Sequence, residues 1–155
     1  MSIMRRLATA TANWLSSQPW SLAFTPTVAY RPTRTLESLS TLACTVAART
    51  MTLTPWDRSG TAQKRVQIEI NFQQRLDPQT GFDRDELLDN LVELLEEVAN
   101  RLEPGTVFTE LPEVSVAEVA IANDQPFVIE NLDDMNAFNG SVVVTFVSYD
   151  DEETG

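Results

Sequence analysis

Asp89, Glu93 and Glu97 recur at four-residue steps inside DRDELLDNLVELLEEVANRLEPG, residues 83 to 105. On a helix, residues four apart stand one above the other, so Asp89 with Glu93, or Glu93 with Glu97, can share a proton or hold a divalent cation. Acid/base work by such a pair needs a cleft that raises the pKa of one carboxyl group. The same stretch sets eight carboxylates against two arginines, the composition of a helix whose polar side meets solvent or a neighbouring subunit. Asp85, Glu86, Asp89, Glu93, Glu96 and Glu97 are therefore read as a wet or interface face, with no catalytic and no metal residues assigned.

The other reactive residue types narrow the chemistry further. Histidine is absent, which excludes Ser-His-Asp and Cys-His catalysis and any metal site built on imidazole. Cys44 is the single cysteine; it has no intrachain disulfide partner, gives no sign of secretion, and sits among apolar residues in TLACTVAA, where a buried strand cysteine is expected. No GxxxxGK[ST], GxGxxG or CxxC occurs, so no nucleotide cofactor or structural zinc is implied. Trp56, Asp57, Arg58 and Ser59 lie in the turn-rich PWDRSG, where an aromatic beside an arginine is the composition of an interface anchor; the alternative is a tryptophan folded back over the core. Arg31 and Arg34 flank Pro32 in YRPTRTLE, and without a glycine-rich loop or a flanking aromatic they fit salt bridges to an acidic neighbour better than phosphate binding.

The elements that position these residues follow from periodicity. Ile3, Leu7, Ala10 and Trp14, with Leu15 beside them, repeat at helical steps until Pro19. Arg5 and Arg6 among serines and threonines, with no acid before Glu37, also resemble a mitochondrial presequence; an amphipathic N-terminal helix is the simpler reading. Leu22, Phe24, Val28 and Tyr30 share one parity of a strand, and Pro26 places it at an edge or a bulge. Leu42, Cys44, Val46 and Ala48 form one face of a second strand, after which the parity switches to Met51 and Leu53, predicting a bulge near Arg49. In RVQIEINFQ, Val66, Ile68, Ile70 and Phe72 point one way and Gln67, Glu69, Asn71 and Gln73 the other, so a hairpin with a protruding tip at PWDRSG is expected.

Asp83 and Glu86 form a capping-box pair for a helix over 83 to 103, stopped by EPG. Its ridges Leu87, Leu91, Leu94, Val98, Leu102 and Leu88, Val92, Leu95, Ala99 require a sheet to lie on. A strand over 116–121, a loop with a short NLDDM turn, and a final strand over 142–149 complete the chain. That last strand is apolar on both faces and is expected to be central. The prediction is one α+β domain over 1–150, a mostly antiparallel sheet of about five strands with a long helix on one face and an N-terminal helix, followed by a disordered acidic end at 151–155.

Charge is split along this order. Of the net charge of -12, residues 1–65 contribute +6 and residues 66–155 contribute -18. Opposite-sign surfaces of this kind suit head-to-tail contacts between copies, Arg31 and Arg34 against Asp89, Glu93, Glu96 and Glu97, and an acidic exterior is one that nucleic acid avoids. There is no apolar run long enough for a membrane span.

The N-terminal helix, FTPTVAYRP as first strand, the long hairpin, RVQIEINFQ, the leucine-rich helix and VVVTFVSY as last strand together resemble the tail-terminator, or tail-completion, proteins of long-tailed bacteriophages. The resemblance covers nearly the whole chain and rests on architecture, size and acidity, since that family has no sharp motif. It implies a non-enzymatic virion protein, made in the host cytoplasm and placed at the head-tail junction. There it would form a ring of itself, usually hexameric, that caps the tail tube, stops tube polymerisation and joins the tail to the head connector. Genomic DNA would pass through without specific binding, with Gln67, Glu69, Asn71 and Gln73 lining the lumen and Trp56 to Ser59 reaching the tail tube protein. Alternatives are another neck component such as a stopper or head-completion protein, a monomeric cytoplasmic protein-binding module, and a carboxylate-metal hydrolase. The last would need a lysine beside converging acids, and Lys64 is the only lysine.

Overall fold

The computed structural model describes residues 2–29, 42–55, 62–75, 84–121 and 137–150. Helix α1 (Ile3–Ser16) starts where the Ser2 hydroxyl accepts a hydrogen bond from the Arg5 N–H at 3.2 Å, an N-cap that satisfies one of the orphan donors of the first turn. Leu7, Ala8, Ala10, Thr11, Ala12 and Leu15 are buried, so this segment is part of the core. The small residues extend the expected stripe and let the helix approach the sheet closely. Thr11 is accommodated because its hydroxyl donates back to the Leu7 carbonyl at 2.8 Å.

The chain is α+β, as expected, but the sheet is mixed and has six strands: β1 (Pro26–Val28), β2 (Ala43–Pro55), β3 (Ala62–Arg75), β4 (Val107–Phe108), β5 (Leu111–Ile121) and β6 (Ala137–Asp150). Their spatial order is β1-β2-β3-β6-β5-β4. The expectation of about five mostly antiparallel strands fails at the two edges. Strand β1 runs parallel to β2, which is possible because residues 29–42 are long enough for a crossover return. Strand β4 is two residues long, too short to show a period. Pro26 does fall on an edge strand, and the parity switch near Arg49 is a register shift between Ala48 and Thr50. Strand β6 is central, hydrogen-bonded to β3 on one side and β5 on the other.

Helix α2 (Arg84–Arg101) is shorter than the expected 83 to 103; Asp83, its expected cap, lies outside the described residues, as does the NLDDM turn. Leu91, Leu94, Leu95, Val98 and Leu102 are buried. The chain then turns at Gly105, whose φ of +93° is a left-handed value that favours glycine. The Gly105 N–H donates to the Val116 carbonyl at 2.7 Å and the Val116 N–H to the Thr106 carbonyl at 2.9 Å, starting the β4–β5 edge. The acidic end at 151–155 is outside the described residues.

Both helices pack on one face of the curled sheet, α1 against β1, β2, β3 and also β4, and α2 over β5 and β6. Cys44, Val46, Val66, Ile68, Ile70, Phe72, Val142, Val144 and Phe146 meet them there in one apolar cluster. The helices are tied together at their C-terminal ends. Arg101 donates to the Pro19 carbonyl at 2.6 Å, pairs with Glu97 at 3.1 Å, and stacks 4.5 Å from the ring centre of Trp20. Trp20 in turn donates its indole N–H to the Leu15 carbonyl at 2.7 Å and meets Trp14 edge-on. Among the described residues no element lies over the opposite face.

Candidate functional site

The face of the sheet away from the helices carries the second parity of every central strand. Gln67, Glu69, Asn71 and Gln73 of β3 stand opposite Thr50, Ala47, Thr45 and Ala43 of β2, and opposite Thr145, Val143, Ser141 and Asn139 of β6. The four residues of the expected lumen face are thus brought together in one row down the middle of the sheet.

Their polar groups form a directed network across two strands. The Asn71 Nδ2 amine donates to Ser141 Oγ and to Asn139 Oδ1, both at 2.8 Å. Ser141, having accepted from Asn71, donates its own proton to Glu69 Oε2 at 2.6 Å, a short bond of the kind a carboxylate acceptor gives. The order of donors fixes the Asn71 amide, because a flipped side chain would set its oxygen against Asn139 Oδ1 and against a Ser141 oxygen whose proton goes to Glu69. On the other side Glu69 Oε1 lies 3.8 Å from Arg49 Nε, and the Thr50 hydroxyl donates to Gln67 at 3.1 Å.

The network leaves acceptors over. Asn71 is 4% exposed, and its Oδ1, like Gln73 Oε1, is buried and finds no donor among the described residues. An unpaired buried oxygen costs about 1–3 kcal/mol. Thr45, Ser141, Thr145 and Ser148 are also buried polar residues. Of these, Thr45, Ser141 and Thr145 share the face with Asn71. Chemically it offers two carboxylates, Glu69 and Glu118, and two guanidinium groups, Arg49 and Arg65, around a set of amide and hydroxyl groups, with no nucleophile–base pair. Among the described residues no three His, Cys, Asp or Glu side chains converge to hold a metal ion.

The remaining expected residues are dispersed. Asp89, Glu93 and Glu96 are exposed on α2, whereas Glu97 is turned to the α1 end, paired with Arg101 and accepting from the Ser21 N–H at 3.3 Å. Cys44 is buried on the core face of β2. Trp56, Asp57, Arg58, Ser59, Arg31 and Arg34 lie outside the described residues. Sequence reasoning missed Asn139, Ser141 and Arg49 as members of the network. The two β6 residues precede the expected start of the last strand, although their alternation with Phe138, Gly140 and Val142 carries the signal. The Arg101–Trp20 clasp joins residues far apart in the chain and leaves no periodic trace.

No protein-family model matches the chain, and no curated protein is significantly similar to it. No helix among the described residues is long and apolar enough to cross a membrane.

Proposed function

We propose that this chain is a structural, non-enzymatic ring subunit of the head-tail junction of a long-tailed bacteriophage, a tail terminator. The observation that carries the reading is the two-sidedness of the sheet. One face is closed by both helices; the other is a polar row centred on Glu69, of mixed donors and acceptors and without a catalytic pair. Around a channel, a face whose described charges balance, Glu69 and Glu118 against Arg49 and Arg65, offers phosphates no basic track, so that DNA slides rather than sticks. In this reading Gln67, Glu69, Asn71 and Gln73 line the lumen, the hairpin tip Trp56 to Ser59 meets the tail tube protein, and the ring joins the tube to the head connector in the virion. Acidic α2, through Asp89, Glu93 and Glu96, meets the basic N-terminal half of a neighbour, where Arg31 and Arg34 belong.

The test is the mass and shape of the purified full chain, by light scattering at low and physiological salt and by negative-stain imaging. The expected result is one discrete, salt-sensitive oligomer with a central opening, near six copies if the family pattern holds. A monomer at every concentration and salt would overturn the ring.

A further inference from the structure

The sheet has two part-covered edges of matching length. Strand β1 pairs with β2 only at residues 44–46, extended by one bond from the Ala29 N–H to the Val46 carbonyl. Among the described residues, nothing pairs with the outer edge of β2 over 49–53. At the far side, β4 and the Gly105 turn reach along β5 no further than Val116, leaving 117–121 without a described partner. Unpaired edges are templates for another strand.

Three features say that each edge fits the other on a second copy. First, every neighbour pair from β2 to β5 is antiparallel, so β2 and β5 run in opposite directions. A copy rotated about an axis along the strands continues the alternation; such a contact is heterologous and closes into a ring.

Second, the side chains match by face. Met51 and Leu53 are exposed at 41% and 59%, although they lie on the helix side in register with Val66 and Lys64. On that same side of the far edge, Val119 and Ile121 are half-buried. Antiparallel pairing that sets Met51 against Val119 puts Thr50 opposite Ala120 and Thr52 opposite Glu118. Exposed Glu118 then shares a row with Thr52 and Arg65, across the short threonine. Charge agrees on a larger scale: α1, which carries no acid, packs mainly over β1 and β2 with a smaller contact at β4, and acidic α2 packs over β5 and β6.

Third, the open segments are offset. Met51 lies in the row of Val66, Phe146 and Val116, whereas Val119 lies in the row of Val144 and Ile68, two positions away along β6. A sheet that closes on itself requires such a stagger.

We propose that β2 of one copy pairs antiparallel with β5 of the next, Met51 beside Val119, making one continuous sheet around the ring. The inference rests on the ring reading and names the surfaces that build it. The test is oxidation of the full chain carrying Met51→Cys and Val119→Cys, run on a non-reducing gel. A ladder of linked copies is expected, with its top rung counting the ring; each single variant should stop at a dimer or below. In parallel, the paired substitution Met51→Lys and Leu53→Lys, at exposed positions, should give a monomeric mass with an unchanged melting temperature. No ladder, together with an intact oligomer in the lysine pair, overturns the edge pairing and leaves the ring standing. A monomeric wild type overturns both.

Discussion

Strand β3 presents two faces built under different rules. Val66, Ile68, Ile70 and Phe72 are buried against α1, α2 and the neighbouring strands; two residues apart, Gln67, Glu69, Asn71 and Gln73 hold hydrogen-bonding groups away from both helices. On the apolar face every side chain adds burial, about 1.5–3 kcal/mol for a large aliphatic or aromatic group. On the polar face the chain keeps Asn71 buried with a carbonyl oxygen that no described donor satisfies, in a row where alternation alone would accept threonine or valine. The first face is explained by folding. The second is kept at a cost in stability that burial alone does not explain.

Substitutions on the two faces should therefore differ in size and in kind. Phe72→Ala, which empties a fully buried site packed edge-on against Phe24 at 5.0 Å, is expected to cost about 3–5 kcal/mol in denaturant unfolding. A loss under about 1 kcal/mol would mean that the helix-covered face is not the core. Ser141→Ala on the opposite face removes the hydroxyl that links Asn71 to Glu69, while Asn71 Nδ2 keeps Asn139 Oδ1. Two hydrogen bonds are lost, one of them to a carboxylate, while Asn71 keeps its bond to Asn139, so the expected cost is about 1–3 kcal/mol. A cost as large as that of Phe72→Ala would show the polar network to be part of the folding core, and the contrast between the faces would disappear.

What was legible in the sequence tracks how local the physics is. The alternation in RVQIEINFQ placed both faces of β3, because parity is a property of consecutive residues. The break in parity at Arg49 gave the bulge for the same reason, and Pro26 marked an edge because it lacks an N–H to donate. Strand β4 escaped because its two residues have no period; it is held by the Gly105 turn and by Phe108 packing on Trp14 and Phe146 at 6.0 and 5.5 Å. The parallel pairing of β1 escaped because strand direction is set by the return of the chain, which the alternation of side chains does not record. In the site, the row on β3 was visible, while its partners Ser141 and Asn139 depended on knowing that β6 lies next to β3 and starts at Ala137.

The acidic helix sharpens the comparison at the smallest scale, since Glu93 and Glu97 look equivalent in sequence, one helical turn apart. Glu97 is committed inside the chain to Arg101 and the Ser21 N–H; Glu93 is exposed and makes no ion pair with a described residue. Glu97→Gln is expected to lower stability by roughly 0.5 kcal/mol at low salt, the usual worth of a partly exposed pair at four-residue spacing, with the difference fading as salt screens it. Glu93→Gln should leave the unfolding midpoint unchanged within about 0.5 kcal/mol and should instead weaken the salt dependence of self-association, because its charge is available to a neighbour. Measuring both variants by thermal melting and by light scattering across a salt series separates the two roles. If Glu93→Gln changed folding stability and left association untouched, the outer side of α2 would be an ordinary solvated face, and the contact between copies would rest on the sheet edges alone.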